Sequence, residues 1–391
     1  MIVRTGLEII GRSLPRRLRG IRAGLLVHPA SVNNRLMHAI DIFLKLKQIE
    51  LKALFGPQHG IFGETQDNMI EWKGFRDKKT GIMVYSLYGD VRIPERDMLR
   101  DIDAMFIDLQ DVGSRYYTYI WTMALCMKRC EEMNKAVIVL DRPNPIGGEM
   151  IEGPVLDTKY SSFVGLFPLP VRHGMTIAEI ALYLKDRFYP SLDLYVIRME
   201  GWSRSMWFDM TGLPWVMPSP NMPTLTTATV YPGMCLLEGT NISEGRGTTM
   251  PFEFFGAPFI EPEMVVKRLK EHRLKGVIFR HVYFIPTFQK YAGRMCGGAQ
   301  LHITDRGIFK PFKTAVAIIK TIHELYPYRF GWREPPYEYE TVKLPIDILA
   351  GTNRLRMDIE DGLSLKEMEE RWMDDCKRFD KDIRQNYLLY S

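Results

Sequence analysis

Short runs rich in β-branched and aromatic residues alternate with helical patterns through roughly the first half of the chain, and no other sequence feature constrains the fold as strongly. Residues 23–27, 52–55, Met83–Ser86, Ala104–Ile107, Ala136–Leu140 and Leu194–Ile197 read as strands. Residues 36–49, 118–133 and Ile177–Phe188 carry helical spacing between them. The alternation predicts an α/β fold with a Rossmann-like, mostly parallel sheet covered by helices on both faces. The third helix opens with Thr176-Ile-Ala-Glu179, a capping box, and places Ile177, Ile180, Ala181 and Leu184 on one stripe for burial.

Beyond Tyr231-Pro-Gly233 and the glycine-rich Glu244-Gly-Arg-Gly-Thr248 the pattern changes. Strands become sparser, at 277–285, 300–304 and 341–344, with helices over Pro262–Glu271 and 313–325. This predicts a second, smaller α+β domain. At roughly 150 residues per domain, 391 residues suffice for two or three. We place a Rossmann-like domain carrying most site loops at 1–250 and a smaller domain closing the cleft at 251–391. A final helix starts at a second capping box, Ser364-Leu-Lys-Glu367, and the apolar Tyr387-Leu-Leu-Tyr390 is expected to dock onto the body of the protein.

An open parallel sheet binds ligands outside the carboxyl ends of its strands, where loops converge. The predicted strand ends carry His28-Pro-Ala-Ser31, Gly56-Pro-Gln-His-Gly60, Leu87-Tyr-Gly89, Asp108-Leu-Gln-Asp111 leading to Arg115-Tyr-Tyr117, and Asp141-Arg-Pro-Asn144-Pro. Polar loops at successive strand ends predict a built pocket. Gly-Pro and Pro-Asn-Pro segments fix backbone direction and hold neighbouring side chains in place. Asp108 and Asp111 also precede the helix beginning near Thr118, a position that suits N-capping, and His59 between glycines suits a turn.

Other chemistries leave no mark. Neither a G-x-G-x-x-G after the first strand nor a G-x-x-x-x-G-K-[ST] is present, so the sheet does not imply a nucleotide. The G-x-S-x-G elbow of serine hydrolases is missing too. Gly245-Arg-Gly-Thr-Thr249 has the makings of an anion-binding nest. The five cysteines are odd in number and scattered, which argues against a disulfide framework, and no C-x-x-C or H-E-x-x-H spacing suggests zinc. A net charge of +5 over this length implies neither nucleic acid nor an anionic membrane as partner. No run approaches the roughly 18 apolar residues of a membrane span, and Met1 to Gly24 lacks an apolar signal region, so a cytoplasmic location is expected. Nothing in the pattern assigns an oligomeric state.

Aromatic residues form 12% of the chain, and several stand beside polar groups in predicted loops: Tyr88, Tyr116, Tyr117, Tyr119, Trp121, Trp202, Trp215 and Phe252. Flat rings flanked by Asp, Asn, Arg and His suit sugars, which offer an apolar face and a hydroxyl edge.

At these loops the sequence resembles the exo-β-N-acetylmuramidase (NamZ-type) glycoside hydrolases, formerly a family of unknown function. The matching segments are Gly56-Pro-Gln-His-Gly60, Val84-Tyr-Ser-Leu-Tyr-Gly89, Asp108-Leu-Gln-Asp-Val-Gly-Ser-Arg-Tyr-Tyr-Thr-Tyr119, Leu140-Asp-Arg-Pro-Asn-Pro145, Ile151-Glu-Gly-Pro154, Arg172-His-Gly-Met-Thr176, Pro218-Ser-Pro-Asn-Met-Pro223 and Glu238-Gly-Thr-Asn-Ile-Ser-Glu-Gly-Arg-Gly-Thr-Thr249. They continue to Tyr387-Leu-Leu-Tyr390, nearly the whole chain.

The resemblance implies a cleft between the two domains that removes N-acetylmuramic acid from the non-reducing end of peptidoglycan fragments, with a small saccharide as partner and no metal or organic cofactor. Muramic acid carries a lactyl carboxylate, which an arginine fork suits. Arg115, Arg142, Arg172 and Arg246 lie in the matching loops, either for that purpose or as partners of nearby Asp residues. His59, Tyr116, Tyr117, Asn144, His173 and Asn221 are candidates for positioning hydroxyls and the acetamido group.

Glycoside hydrolysis needs a carboxylic acid at the leaving oxygen and a second group that attacks or activates water, a role the substrate's acetamido oxygen fills in some families. Many relatives carry a Glu within Pro-Glu-His-Gly, where this chain has Gln58. An amide neither donates a proton as an acid nor acts as a base at neutral pH. Three readings follow: another carboxylate among Glu64, Asp108, Asp111 and Glu244 does the work, the substrate differs, or the cleft binds without cleaving. All of them require the 108–117 and 244–249 stretches to meet over one hollow.

Overall fold

The computed structural model describes residues 2–67 and 69–391. Strands β1 (Ile21–Leu26), β2 (Ile49–Gly56), β3 (Phe75–Arg76), β4 (Met83–Ser86), β5 (Ala104–Ile107), β6 (Ala136–Leu140) and β7 (Leu194–Ile197) form one sheet in the order β3-β4-β2-β1-β5-β6-β7. All neighbours are parallel except the edge strand β3, which runs antiparallel to β4. Strand order reverses at β1, which pairs with β2 on one side and β5 on the other. The carboxyl end of that reversal is where a sheet of this kind opens a crevice.

β5 and β6 are buried at every position, the continuous apolar run expected of strands covered on both faces. Successive residues serve opposite faces. Met105 and Ile107 pack with α3 (Tyr119–Glu132) and α4 (Ile177–Phe188), while Phe106 packs with α1 (Gly6–Ser13) and α2 (Ala39–Lys45). The Thr176–Glu179 capping box is formed, and Ile177, Ile180, Ala181 and Leu184 are all buried.

The second lobe contains α5 (Leu225–Met234), β8 (Phe254–Ala257), α6 (Pro262–Glu271), β9 (Val277–Phe284), β10 (Cys296–Ile303), α7 (Pro311–Leu325), α8 (Pro345–Ala350), α9 (Arg354–Glu360) and α10 (Leu365–Asp382). Its sheet is antiparallel, ordered β8-β10-β9. The core around Met105 continues into Phe255, Ala299 and Ile318, so the two lobes share one apolar interior. The tail docks on the first lobe: Leu389 N donates to Glu179 at 2.8 Å, Tyr390 Oη to Asp141 at 2.6 Å, and Arg204 N to the Ser391 carbonyl at 2.9 Å.

Several elements differ from the sequence reading. Residues 341–344 are a bend and not a strand. Leu344 is extended at φ −60°, ψ 135° because it precedes Pro345, the first residue of α8, and Thr-Val-Lys-Leu imitates a strand there. β10 starts at Cys296, four residues before the expected 300, because Gly297 and Gly298 hid it. A Cβ at Gly298 would lie 1.8 Å from the Phe255 carbonyl, so only glycine lets β8 approach. α2 spans only Ala39–Lys45 of the helical 36–49 expectation. α5 was not foreseen: its β-branched threonines and internal Pro232 argue against a helix. Packing on α7 overrides that propensity, so tightly that a Cβ at Gly233 would lie 1.9 Å from the Pro311 carbonyl.

Candidate active site

The loops after β2 and β5 meet loops of the second lobe over a single pocket. Gln58 and His59 enter from the first, Tyr116, Tyr117, Thr118 and Tyr119 from the second, and Asn221, Tyr231, Glu238, Arg246, Phe252, Tyr337 and Glu338 close it from across the cleft. The 108–117 and 244–249 stretches therefore converge on one hollow, as the sequence reading requires.

Gln58 uses its whole amide. Its Oε1 accepts from Thr118 Oγ1 at 2.7 Å, and its Nε2 donates to Tyr88 Oη at 2.9 Å and to Glu338 Oε1 at 3.3 Å. Tyr88 Oη in turn donates to the other oxygen, Oε2, of Glu338 at 2.9 Å. Burial drives the Glu338 carboxyl up to about 7, helped by the charge of nearby Glu238 and opposed by the hydrogen bonds from Tyr88 and Gln58. Glu238 behaves in the opposite way. Burial alone would raise it, yet the Arg246 guanidinium, the Tyr337 hydroxyl and Lys290 hold it below the usual carboxylate range. Arg246 reaches Glu238 Oε1 at 2.7 Å, and Tyr337 Oη donates to Glu238 Oε2 at 2.7 Å.

Arg246 stands between Gly245 and Gly247, both at φ 78°, a left-handed backbone that only glycine adopts without strain. Its guanidinium lies 5.0 Å from the Phe252 ring and 3.6 Å from Glu244. Burial works against its charge, but Glu238 and Glu244 keep it protonated. The 245–249 loop, read from sequence as an anion nest, thus presents a cation already faced by two carboxylates. Glu244 also takes a 3.0 Å bond from Lys290, whose Nζ donates to the carbonyls of Leu237 and Ile242.

Burial lowers His59 to about 4, so its ring is neutral near pH 7; Nδ1 donates to the Thr65 carbonyl at 2.6 Å, which leaves Nε2 as an acceptor. The walls are aromatic. Tyr116 and Tyr119 anchor their hydroxyls on the carbonyls of Pro232 and Pro218, whereas the buried Tyr117 hydroxyl, beside Ser219 and Tyr119, makes no well-formed hydrogen bond to the described residues. Asn221 donates to the Gln66 carbonyl at 2.7 Å.

Of the residues singled out by sequence, Gln58, His59, Tyr116, Tyr117, Asn221 and Arg246 line this pocket, with Glu244 directly behind Arg246. The others lie around it. Asp108 is closed in a bidentate pair with Arg142, at 2.6 and 2.7 Å, and both are buried. Asp111 accepts from Gly113 N at 2.7 Å and from His173 Nε2 at 3.1 Å. Neither Asp caps α3, whose N-cap residue is Thr118. Arg115 donates to the carbonyls of Pro154, Leu169 and Leu349, stitching the lobes together, and burial lowers it to about 10. Arg172, which burial also lowers to about 10, donates to the Ile146 carbonyl. Asn144 donates to the Met175 carbonyl at 3.0 Å. Glu64 is exposed and lies against Gly60.

Sequence reasoning did not single out Glu338, Tyr337 or Glu238 as functional. The available signals were the acidic and aromatic run Tyr337-Glu-Tyr-Glu340 after two prolines, and the two glutamates that precede Arg246 at positions 238 and 244. Among the described residues no group of three or more His, Cys, Asp or Glu is arranged to hold a metal ion, and no helix is long and apolar enough to cross a membrane.

Fold and site together define a two-lobed α/β protein with an aromatic-walled cleft that carries carboxylates of unlike ionisation. The chain belongs to the exo-β-N-acetylmuramidase NamZ family: residues 23–226 match the family's N-terminal domain and residues 229–390 its C-terminal domain. It is 45% identical over 388 residues to the peptidoglycan β-N-acetylmuramidase NamZ of Bacillus subtilis strain 168, covering 99% of this chain and 91% of that protein. Crystal structures of two DUF1343-family proteins from Bacteroides fragilis superpose over 100% of this chain and 99% of theirs. Their TM-scores are 0.88 and 0.78, at 34% and 30% identity.

Proposed function

We propose that this chain is an exo-acting glycoside hydrolase that releases β-N-acetylmuramic acid, or a closely related acidic amino sugar, from the non-reducing end of peptidoglycan fragments. The observation that carries this reading is the cleft itself. In a chain of this family, two buried glutamates that their surroundings push in opposite directions, Glu338 up and Glu238 down, share one pocket with tyrosine rings, which is the equipment that glycoside hydrolysis demands.

Within it, Tyr116, Tyr117 and Phe252 offer flat faces to the sugar ring, while Gln58, His59 and Asn221 offer polar edges to its hydroxyl and acetamido groups. Arg246 is the arginine nearest the sugar, kept in place by Glu244 and Lys290 from behind. Asp108, Asp111, Arg115, Arg142, Asn144, Arg172 and His173 act through the loops they hold, and Glu64 lies exposed beside Gly60.

The test is incubation with an N-acetylmuramyl-β-N-acetylglucosamine disaccharide and with a longer glycan carrying terminal muramic acid. Stepwise release of muramic acid from the non-reducing end is expected. Cleavage within the glycan, or binding of muramic acid without release, overturns the reading.

A further inference from the structure

We propose that Glu338 is the acid that protonates the glycosidic oxygen and that Gln58 is the residue that positions it, so that the C-terminal lobe delivers the proton across the cleft. The proposal rests on the hydrolase reading above and supplies the residue it lacks, since Gln58 has no proton to give as an acid.

Glu338 and Tyr339 are the central residues of a tight turn closed by reciprocal 2.9 Å bonds between Tyr337 and Glu340. Both have left-handed φ angles, 45° and 66°. Two-residue turns of this kind favour Asn-Gly, and a Glu-Tyr pair adopts them at a cost in strain. Local rules of this sort are broken where function requires it. Here the strained pair places the Glu338 carboxyl in the pocket and the Tyr339 ring against Tyr88.

The buried carboxylates around the cleft divide by whether a cation pairs with them. Asp108 is closed by Arg142, Glu244 by Lys290 and Arg246, and Glu238 by Arg246 and Tyr337. Among the described residues Glu338 accepts hydrogen bonds from neutral donors, Gln58 and Tyr88, and Arg246 acts on it through space without an ion pair. The carboxyl therefore keeps a proton without competition from a paired cation, and burial lifting it to about 7 fits that role. When the proton leaves, both neutral donors face the new anion and stabilise it.

The Glu338 O–H proton passes to the glycosidic oxygen, the C1–O bond breaks with its electron pair going to that oxygen, and the aglycone departs as an alcohol. The substrate's acetamido oxygen bonds to C1 as the leaving group departs. A water then attacks C1, the bond from C1 to the acetamido oxygen breaks, and the water's proton passes to the Glu338 carboxylate.

The experiment compares Glu338→Gln with wild type on the disaccharide, whose sugar leaving group needs a proton, and on para-nitrophenyl β-N-acetylmuramide, whose leaving group does not. Expected is a loss in kcat/KM of about 10²- to 10⁴-fold on the disaccharide and of less than about tenfold on the aryl substrate. Equal losses on both, or no loss on the disaccharide, overturn the proposal while leaving the hydrolase reading intact. Wild type that cleaves neither substrate ends both. Should the variant not fold, wild type assayed across aryl muramides supplies the answer. The alkaline limb of its kcat/KM profile must fade as the leaving group improves, and a limb that persists overturns the proposal.

Discussion

Two groups of buried carboxylates, in loops that gather over the first sheet, have opposite fates. Asp108, at the end of β5, is fully buried and forks onto Arg142, so both of its oxygens are engaged by one fixed cation. Glu338, in the second lobe, is also buried but among the described residues accepts hydrogen bonds from neutral donors, and it lines an opening. Burial is the same in both places; what differs is whether a cation has already claimed the charge. A buried carboxylate with a matched guanidinium holds loops together, and one without it keeps the chemical freedom to gain and lose a proton.

The comparison can be broken most decisively at Asp108. Asp108→Asn strands the Arg142 guanidinium in the interior and should lower unfolding free energy by about 3–5 kcal/mol in urea titration. The folded fraction should still turn over substrate. A neutral effect on stability would place Asp108 among the freely titrating groups.

Glu338 makes the opposite prediction. Its folded-state value lies above the ordinary 4.5, at about 7, so the native protein binds a proton that the unfolded chain does not between those limits. Wild-type stability should therefore fall as pH rises from 4.5 through about 7 on account of this group. Glu338→Gln removes that loss. Relative to wild type it should gain up to about 3 kcal/mol between the acidic and alkaline ends of the window, read from unfolding midpoints at each pH.

The smallest expected effect sharpens the contrast from within. Tyr88 donates to Glu338 and so favours its ionised form. In Tyr88→Phe the carboxyl should titrate higher, moving the alkaline limb of kcat/KM on the disaccharide up by roughly one pH unit or less. A downward shift would mean the hydroxyl stabilises the protonated acid instead.

What was legible in the sequence follows the same divide between local and long-range order. Ala104–Ile107 and Ala136–Leu140 match their strands to the residue because a doubly covered parallel strand is a short apolar run bounded by turns, and the half-buried Met83–Ser86 and Leu194–Ile197 match because they are short β-branched and aromatic runs. Gln58, His59, Tyr116, Tyr117 and Arg246 could be singled out because they follow strands or sit between glycines, where convergence is a property of the sheet. Glu338 could not. Its partner Gln58 is 280 residues away, and its own neighbourhood reads as a proline-bounded turn. Asp108 stood out in the sequence because it ends a strand beside the point of reversal, and the structure closes it on Arg142.

The docked tail carries a consequence for how the protein is made. Asp141 and Glu179 lie in the first lobe, yet Tyr390 and Leu389, synthesised some two hundred residues later, supply part of their hydrogen bonding. Domains commonly mature one after another as they emerge from the ribosome. Here two buried carboxyl groups of the early lobe lack part of their hydrogen bonding until residues 389 and 390 arrive, so completion of the first half depends on the arrival of the second.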